Sequence, residues 1–179
     1  MRAHSEVMKT DMTNVLLVVT LGMSSLDLYS KMLSTSLHVL PVMTSDIYLV
    51  SAGLFGVFAL SLRSLKALIN DYRFVKALNS TRAEIVHMPH QHLARYINFL
   101  KKKCVVTVHD LIRFFDMKGH HPALIHRPNL RDRIGLKLDY RGVRKAGRVI
   151  AISKHTKNDL VKHLKVPEEK IDVVYQGID

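Results

Sequence analysis

Short uninterrupted apolar runs alternate along the chain with longer stretches in which apolar residues recur every three or four positions. The short runs are typical of buried parallel strands, and they occupy 14–20, 37–40, 47–50, 85–88, 104–108, 148–152 and 171–175. The periodic stretches predict helices at 24–37, 54–78, 93–100, 134–145 and 154–164. Because strands and helices alternate, the pattern predicts an α/β fold with a doubly wound, mainly parallel sheet and helices on both faces.

Three segments need a separate interpretation. Residues 116–130 carry several histidines together with Pro122 and Pro128, and we expect an irregular loop there. Gly147 follows the stretch 134–145, which indicates a glycine-terminated helix. The uncharged run 47–62 has sixteen residues, fewer than the ~20 needed to cross a bilayer core. We therefore interpret it as a buried join between a strand and a helix rather than as a membrane span.

Length and cysteine content limit the class of protein. A chain of 179 residues fits one domain of ordinary size. Cys104 is the single cysteine, so no disulfide can form within the chain, and a reducing compartment is indicated. Residues 1–14 lack the apolar core of a secretory signal. We therefore expect a cytoplasmic protein.

The positive charge is concentrated in one part of the sequence. The net charge is +12, and residues 101–165 hold seventeen Lys and Arg against five Asp and Glu. Such a block is compatible with nucleic acid, an anionic membrane surface, phosphorylated ligands or simply a solvated face. Only six Phe, six Tyr, no Trp and no recognisable reader motif argue against nucleic acid.

Polar or glycine residues follow four of the predicted strands. The segments are 20–22, 87–92, 108–110 and 152–154. In a parallel sheet the carboxyl ends of the strands lie at one edge, where helix N-termini also offer unpaired N–H groups to ligands. The sequence therefore predicts a ligand site along this edge.

Three of these segments supply the first candidate residues. His109 ends the most apolar strand, and Asp110 is placed either to orient its imidazole or to cap the next segment; a hydrogen-bonded structural histidine is the alternative. Gly22 allows a backbone turn to approach a phosphate, although a glycine after a strand is also simply a turn residue. Ser153 precedes a helix and suits both a ligand contact and a helix cap.

The fourth segment holds three histidines, which raises the question of a metal site. They are His87, His90 and His92. Pro89 breaks the spacing that would align them on a helix, and no cysteine accompanies them. We therefore expect no metal, and we predict instead that His90 and Gln91 contact a hydroxyl-rich ligand.

Three sequence motifs occur in a characteristic order. They are Val-Val-Thr-Val-His-Asp-Leu-Ile at 105–112, Ala-Gly-Arg-Val-Ile-Ala-Ile-Ser-Lys at 146–154 followed by Thr-Lys-Asn-Asp-Leu-Val at 156–161, and Pro-Glu-Glu-Lys-Ile-Asp-Val-Val-Tyr-Gln-Gly-Ile-Asp at 167–179. Together they resemble the amino-terminal domain of the retaining glycosyltransferases of family four. The resemblance implies one Rossmann-like half of a GT-B fold, in which the first domain binds mainly the acceptor and a second domain binds the nucleotide sugar. Residues 1–179 would be that acceptor-side domain, ending at the interdomain linker, with the donor-binding domain absent.

The resemblance also implies an activity and assigns residues to it. A hexosyl group would pass, with retention, from a nucleotide-sugar donor to a saccharide or lipid-linked acceptor, without a metal or other cofactor. His109 matches the histidine beside the transferred sugar and is the expected catalytic residue. Gly22 matches the glycine-rich loop near the donor diphosphate, where this chain has Gly-Met-Ser-Ser. We expect the acceptor-side domain to be inactive alone.

Partners other than substrates follow from charge and from the missing second domain. An anionic membrane surface or a phosphorylated acceptor would attract the basic block, which includes Arg127, Arg131, Arg133, Arg141 and Arg144. We therefore expect a cytoplasmic protein that binds the membrane peripherally, and no nucleic-acid partner. The alternative function is a noncatalytic interaction module that pairs with a separate donor-binding chain. The face built to meet a second domain would also allow a homodimer.

Overall fold

The protein is built on a parallel β-sheet, as the sequence predicts. The computed structural model describes residues 15–20, 32, 44–45, 62–119 and 127–176. The strands are β1 (Val15–Leu17), β2 (Val19–Thr20), β3 (Thr44–Ser45), β4 (Ile85–Met88), β5 (Lys103–Val108), β6 (Arg148–Ala151) and β7 (Ile171–Val173). Five of them form an all-parallel sheet in the order β1-β4-β5-β6-β7, and β2 pairs in parallel with β3. The Rossmann-like α/β fold is thereby confirmed.

Helical segments connect the strands of the sheet. They are α1 (Leu62–Ser80), a long 3₁₀ helix (Gln91–Phe99), α2 (Ile112–Lys118), α3 (Leu130–Lys145), α4 (Lys154–Leu164) and a short 3₁₀ turn (Glu168–Lys170). Because the strand order advances in one direction from β1 to β7, right-handed crossovers bring these helices to one face of the sheet. The described helices therefore cover one face rather than the two that the sequence predicts. Of the helix predicted at 24–37, the structure describes only Met32, which is helical.

Alternation of side chains gives the sheet two different faces. One face carries fully buried valines such as Val86, Val106 and Val108, which belong to the hydrophobic core shared with the helices. The opposite face carries His87 and Thr107, whose side chains are hydrogen-bonded across the strands with Nε2 and Oγ1 2.9 Å apart. Burial lowers the pKa of His87 to about 4, so this histidine is neutral inside the fold at pH 7.

Neighbouring helices are joined by aromatic and ionic contacts, so that they form one connected layer. The contacts are Phe74–Tyr96, Arg95–Asp139, Phe114–Tyr140 and Phe115–His163. The backbone of α3 approaches the 3₁₀ helix so closely at Gly142 that a Cβ atom there would lie 1.7 Å from the carbonyl oxygen of Ala94. The core thus lies between the sheet and this layer.

Several boundaries differ from the prediction for local reasons. Residues 112–118 form α2 although part of this stretch was expected in a loop, and Gly119 ends that helix with φ of 71°. Helix α3 begins at Leu130 rather than at 134, because Asn129 and Asp132 form a reciprocal capping box. It ends at an Ala146 cap, and Gly147 lacks the positive φ expected of a glycine cap. The helix at 93–100 is of the 3₁₀ type and begins at Gln91.

The structure describes only part of the amino-terminal third of the chain, so the prediction there is tested only in part. The strand at 14–20 is present as β1 and β2, and β3 lies at 44–45, between the strands predicted at 37–40 and 47–50. Those two predicted strands and most of the apolar run 47–62 lie outside the described residues. Within the part of the chain that the structure describes, no helix has the length and apolar character needed to cross a membrane.

Candidate functional site

The carboxyl ends of β4, β5, β6 and β7 lie along one edge of the sheet because all four strands are parallel. Backbone pairing continues just beyond the strands: the N–H of Ile152 donates to the carbonyl of Val108, and the N–H of Val174 donates to that of Ala151. The segments that leave the four strands are therefore held side by side. This edge is where the sequence places the candidate residues.

His109 is the residue at which these segments meet. Its backbone N–H donates to Oε1 of Gln91 at 3.2 Å, which ties the end of β5 to the end of β4. Its carbonyl accepts from Oγ1 of Thr156 at 3.1 Å, which ties it to the first turn of α4. Two neighbouring segments therefore fix the backbone of His109.

The imidazole of His109 is also held on both sides. Nε2 lies 3.1 Å from the carbonyl oxygen of Pro89, and since a carbonyl can only accept, Nε2 carries the proton. Nδ1 is then the acceptor, 3.4 Å from the side-chain nitrogen of Gln176. Burial lowers the pKa of His109, against smaller opposing effects of the Pro89 carbonyl and the Asp110 carboxylate. The result is a neutral imidazole with its lone pair on Nδ1.

Asp110 and Ser153 both support helix starts at this edge. The Asp110 carboxylate accepts the N–H of Ile112, the first residue of α2, at 3.0 Å, and its negative charge also acts on the imidazole of His109. Oγ of Ser153 accepts the N–H of Thr156 at 3.0 Å as the cap of α4, and it is hydrogen-bonded to the hydroxyl of the same residue. A contact of either residue with a ligand stays a prediction.

His90 and Gln91 lie inside the edge rather than on its surface. Each is 2% exposed, and Gln91 uses its side-chain oxygen to hold His109. Their predicted contact with a hydroxyl-rich ligand stays a prediction, and in this structure Gln91 positions His109. Gly22, the remaining candidate, lies outside the described residues.

Two contacts of His109 were not foreseen from the sequence. Gln176 follows the last strand, and Thr156 stands in the first turn of α4; both reach His109 from segments more than forty positions along the chain. The rule that polar residues at strand ends face a ligand would have found Gln176, which lies within the Val-Tyr-Gln-Gly motif. The sequence around Thr156 indicated only a residue at the start of a helix.

A buried ionic cluster next to the edge was also missed. The carboxylate of Asp139 is completely buried and accepts two hydrogen bonds from the guanidinium of Arg95, at 2.7 and 2.9 Å. Nδ1 of His92 lies 3.6 Å from the same carboxylate. Asp139 is one of two acidic residues on a strongly basic helix, which is the signal that could have marked it.

The three histidines in and after β4 have different surroundings. His87 is hydrogen-bonded to Thr107 on the sheet, His90 is buried at the edge, and His92 stands beside Asp139. Throughout the described ranges, no group of three or more His, Cys, Asp or Glu residues is arranged to hold a metal ion. The geometry therefore favours hydrogen-bonding and positioning roles for these side chains.

Comparison with known families gives a match over most of the chain. A family model described as Glycosyltransferase Family 4 matches residues 42–179. The matched range contains His109 and all its hydrogen-bonding partners named above, together with β3 to β7. Comparison with curated proteins gives no match.

Proposed function

Since the chain belongs to glycosyltransferase family 4, we propose that it supplies the acceptor-binding side of a retaining glycosyltransferase of the GT-B type. The sugar would move from a nucleotide-sugar donor to a saccharide or lipid-linked acceptor. The carboxyl edge of the sheet would face the reacting groups, and a second Rossmann-like domain would bind the donor. Membership of the family supports glycosyl transfer in general, and the geometry around His109 supports the finer assignment.

The observation that carries the proposal is the fixed, neutral imidazole of His109. Pro89 holds Nε2 and leaves Nδ1 as an acceptor, and Gln176, which faces Nδ1, is exposed. An acceptor hydroxyl that replaces the Gln176 amide would donate to Nδ1 and be held in one orientation. Holding the hydroxyl in this way promotes the reaction by reducing its freedom to turn away from the donor sugar.

The bond changes of the reaction need no nucleophile from this edge. The bond between the sugar C1 and the donor phosphate oxygen breaks, and the bond between C1 and the acceptor oxygen forms on the same face. As these bonds change, the acceptor proton leaves its hydrogen bond with Nδ1 of His109 and passes to the departing phosphate oxygen. Asp110, the carboxylate beside His109, already accepts the N–H of Ile112. We therefore assign the edge a positioning role, with the departing diphosphate stabilised by the donor-binding domain.

The proposal is tested by transfer of radiolabelled sugar from a panel of nucleotide sugars to lipid and saccharide extracts. The chain is assayed alone and after joining a family donor-binding domain behind Asp179. We expect transfer from the joined form, and we expect His109→Ala to reduce it at least about a hundredfold, as for loss of a group that orients the reactants. His155→Ala is the matched control, because this exposed histidine of α4 does not contact His109.

Two outcomes would count against the proposal. Equal transfer by the wild type and by His109→Ala would remove His109 from the reacting site. If no form transfers or hydrolyses any donor, the noncatalytic module that pairs with a separate donor-binding chain becomes the better interpretation.

The pH dependence of transfer is a further test. Burial lowers the pKa of His109. The transfer rate should therefore be constant near neutrality and fall only on acidification below pH ~6.5, the ordinary histidine value.

A further inference from the structure

The outer side of α3 combines positive charge with exposed aliphatic side chains. The exposed residues of this helix are Leu130, Arg133, Ile134, Lys137, Arg141, Arg144 and Lys145. With 3.6 residues per turn they fall in one arc roughly 120° wide. The arc contains five cations, two large aliphatic side chains and no acidic residue. We call Arg133, Lys137, Arg141 and Arg144 the basic stripe.

The charge of the basic stripe is not compensated by other residues that the structure describes. None of its four side chains forms an ion pair or hydrogen bond with another described residue, whereas Lys145 donates to the carbonyl of Asn98 at 2.8 Å. The two carboxylates of α3 are engaged elsewhere: Asp139 with Arg95, and Asp132 in the capping box of the helix. An anionic partner would therefore bind these four cations without breaking an ion pair or hydrogen bond to another described residue.

Two apolar side chains project beside the basic stripe. Leu130 is 76% exposed and Ile134 is 55% exposed, and they stand one turn apart at the start of α3. A helix that shows cations next to exposed aliphatic residues has the composition of helices that lie in the boundary between lipid headgroups and acyl chains. The arc has no aromatic side chain on which a nucleic-acid base could stack.

The position of this apolar pair relative to the candidate site follows from the fold. Helix α3 ends near the amino end of β5, because the N–H of Gly147 donates to the carbonyl of Cys104 at 2.9 Å. A helix of 16 residues is about 24 Å long, and it runs back along a parallel strand. Leu130 and Ile134 therefore lie toward the carboxyl edge of the sheet, where His109 stands.

We propose that the outer side of α3 docks on an anionic phospholipid surface. The basic stripe contacts headgroup phosphates, and Leu130 and Ile134 enter the boundary of the acyl chains. Docking in this way places the carboxyl edge of the sheet close to the membrane, within reach of an acceptor carried on a lipid. The docking itself does not depend on glycosyl transfer, and it is measured without any sugar.

Cosedimentation of the 179-residue chain with vesicles tests the charge contribution. One set of vesicles contains equal parts phosphatidylglycerol and phosphatidylcholine, and the other contains phosphatidylcholine alone. We expect binding to the anionic set only. The variant Arg133→Gln/Lys137→Gln/Arg141→Gln/Arg144→Gln should bind roughly six-hundredfold more weakly, since each of the four cations near an anionic surface contributes about fivefold.

A matched control separates the basic stripe from net charge. Lys76→Gln/Lys101→Gln/Lys103→Gln/Lys162→Gln removes four exposed cations from other surfaces, and it should keep most of the vesicle binding. Equal losses in the two variants would mean that only the overall charge matters and would overturn the proposal. So would equal binding of the wild type to the two sets of vesicles.

The apolar pair gives a test that is independent of charge. Leu130→Ser/Ile134→Ser should weaken vesicle binding by about tenfold or more, because burial of aliphatic surface contributes to docking, and it should leave binding to single-stranded RNA unchanged. If the wild type binds RNA more tightly than anionic vesicles, and the apolar variant binds vesicles like the wild type, the surface is a nucleic-acid face and the lipid proposal fails.

Discussion

The inner and outer sides of α3 belong to the same sixteen residues and have opposite relations to the rest of the protein. On the inner side, Asp139 is completely buried against Arg95, and Gly142 lies against the backbone of Ala94. On the outer side, the basic stripe has no ionic partner among the described residues. The inner residues are accounted for by folding. The outer residues contribute little to folding. Binding to a partner outside the fold is therefore the explanation to test for them.

The largest effect is expected from Gly142→Ala on the inner side. A Cβ atom at this position would lie 1.7 Å from the carbonyl oxygen and 2.4 Å from the carbonyl carbon of Ala94. Because these are backbone atoms, α3 and the 3₁₀ helix must move apart. We expect a loss of at least about 3 kcal/mol in the free energy of unfolding, measured by urea denaturation, or failure to fold.

Gly135→Ala is the matched control on the same helix. The three atoms nearest to its Cβ would be those of the Arg95 guanidinium, at 3.6 to 3.9 Å, which is ordinary contact. Since alanine favours a helix by about 1 kcal/mol over glycine, this variant should be as stable as the wild type or more so. Equal behaviour of the two alanine variants would show that α3 is not held as closely as the structure indicates.

The second effect concerns the buried ion pair. Asp139→Asn replaces the completely buried carboxylate that pairs with the partly buried guanidinium of Arg95, and we expect a loss of roughly 3 kcal/mol. Asp172→Asn is the control, because its pair with Arg148 has the same bidentate geometry and both side chains are about half exposed. Exposed pairs contribute about 0 to 1 kcal/mol. Similar losses for the two variants would contradict the distinction between buried and exposed charge.

A buried histidine extends the same distinction to pH. The pKa of His87 is lowered by burial to about 4 from 6.5, so the unfolded chain takes up a proton there before the folded chain does. Stability is therefore intact above pH 6.5 and is lost as the pH falls toward 4, by up to about 3 kcal/mol from this group.

His87→Gln removes that contribution. The variant should be less stable than the wild type at pH 7, and its free energy of unfolding should change less on acidification. Urea titrations at several pH values between 7 and 4 measure the difference. Parallel curves for the two proteins would show that His87 does not titrate as a buried group.

The smallest effect on stability is expected on the outer side of α3. The four-residue glutamine variant of the basic stripe should unfold within about 0.5 kcal/mol of the wild type, because exposed side chains without contacts contribute little. The measurement is the same urea titration. A loss above about 1 kcal/mol would indicate that the basic stripe has a structural role and would weaken the contrast between the two sides of the helix.

Strands and helices with strong burial patterns were predicted almost to the residue, and short ones were not. The strand at 85–88 and the helix at 154–164 have the predicted bounds, since each buries one regular set of apolar positions. Helix α2 was missed because seven residues show too little periodicity. Asp110 at its start and Gly119 at its end were readable signals. Its position depends on tertiary packing of Phe114 against Tyr140.

The candidate site was predicted in outline but not in its connections. His109 could be selected because it follows the most apolar strand, and Ser153 was expected as a helix cap, which the structure confirms. Gln91 was expected to face a ligand, whereas it is buried and holds the backbone of His109. The direction of a side chain at a strand end depends on neighbouring loops, which the local sequence does not specify.

The sequence by itself determined the alternation of strands and helices, the excess of positive charge and the placement of His109 at the end of a strand, because these depend on local periodicity and composition. The tertiary structure decided which groups share the site and which charges remain unpaired. Gln176 reaches His109 from 67 positions away, and Asp139 meets Arg95 rather than the basic stripe on its own helix. Both contacts require the strand order and the close packing of α3, and these arise only when distant segments bury their apolar faces together.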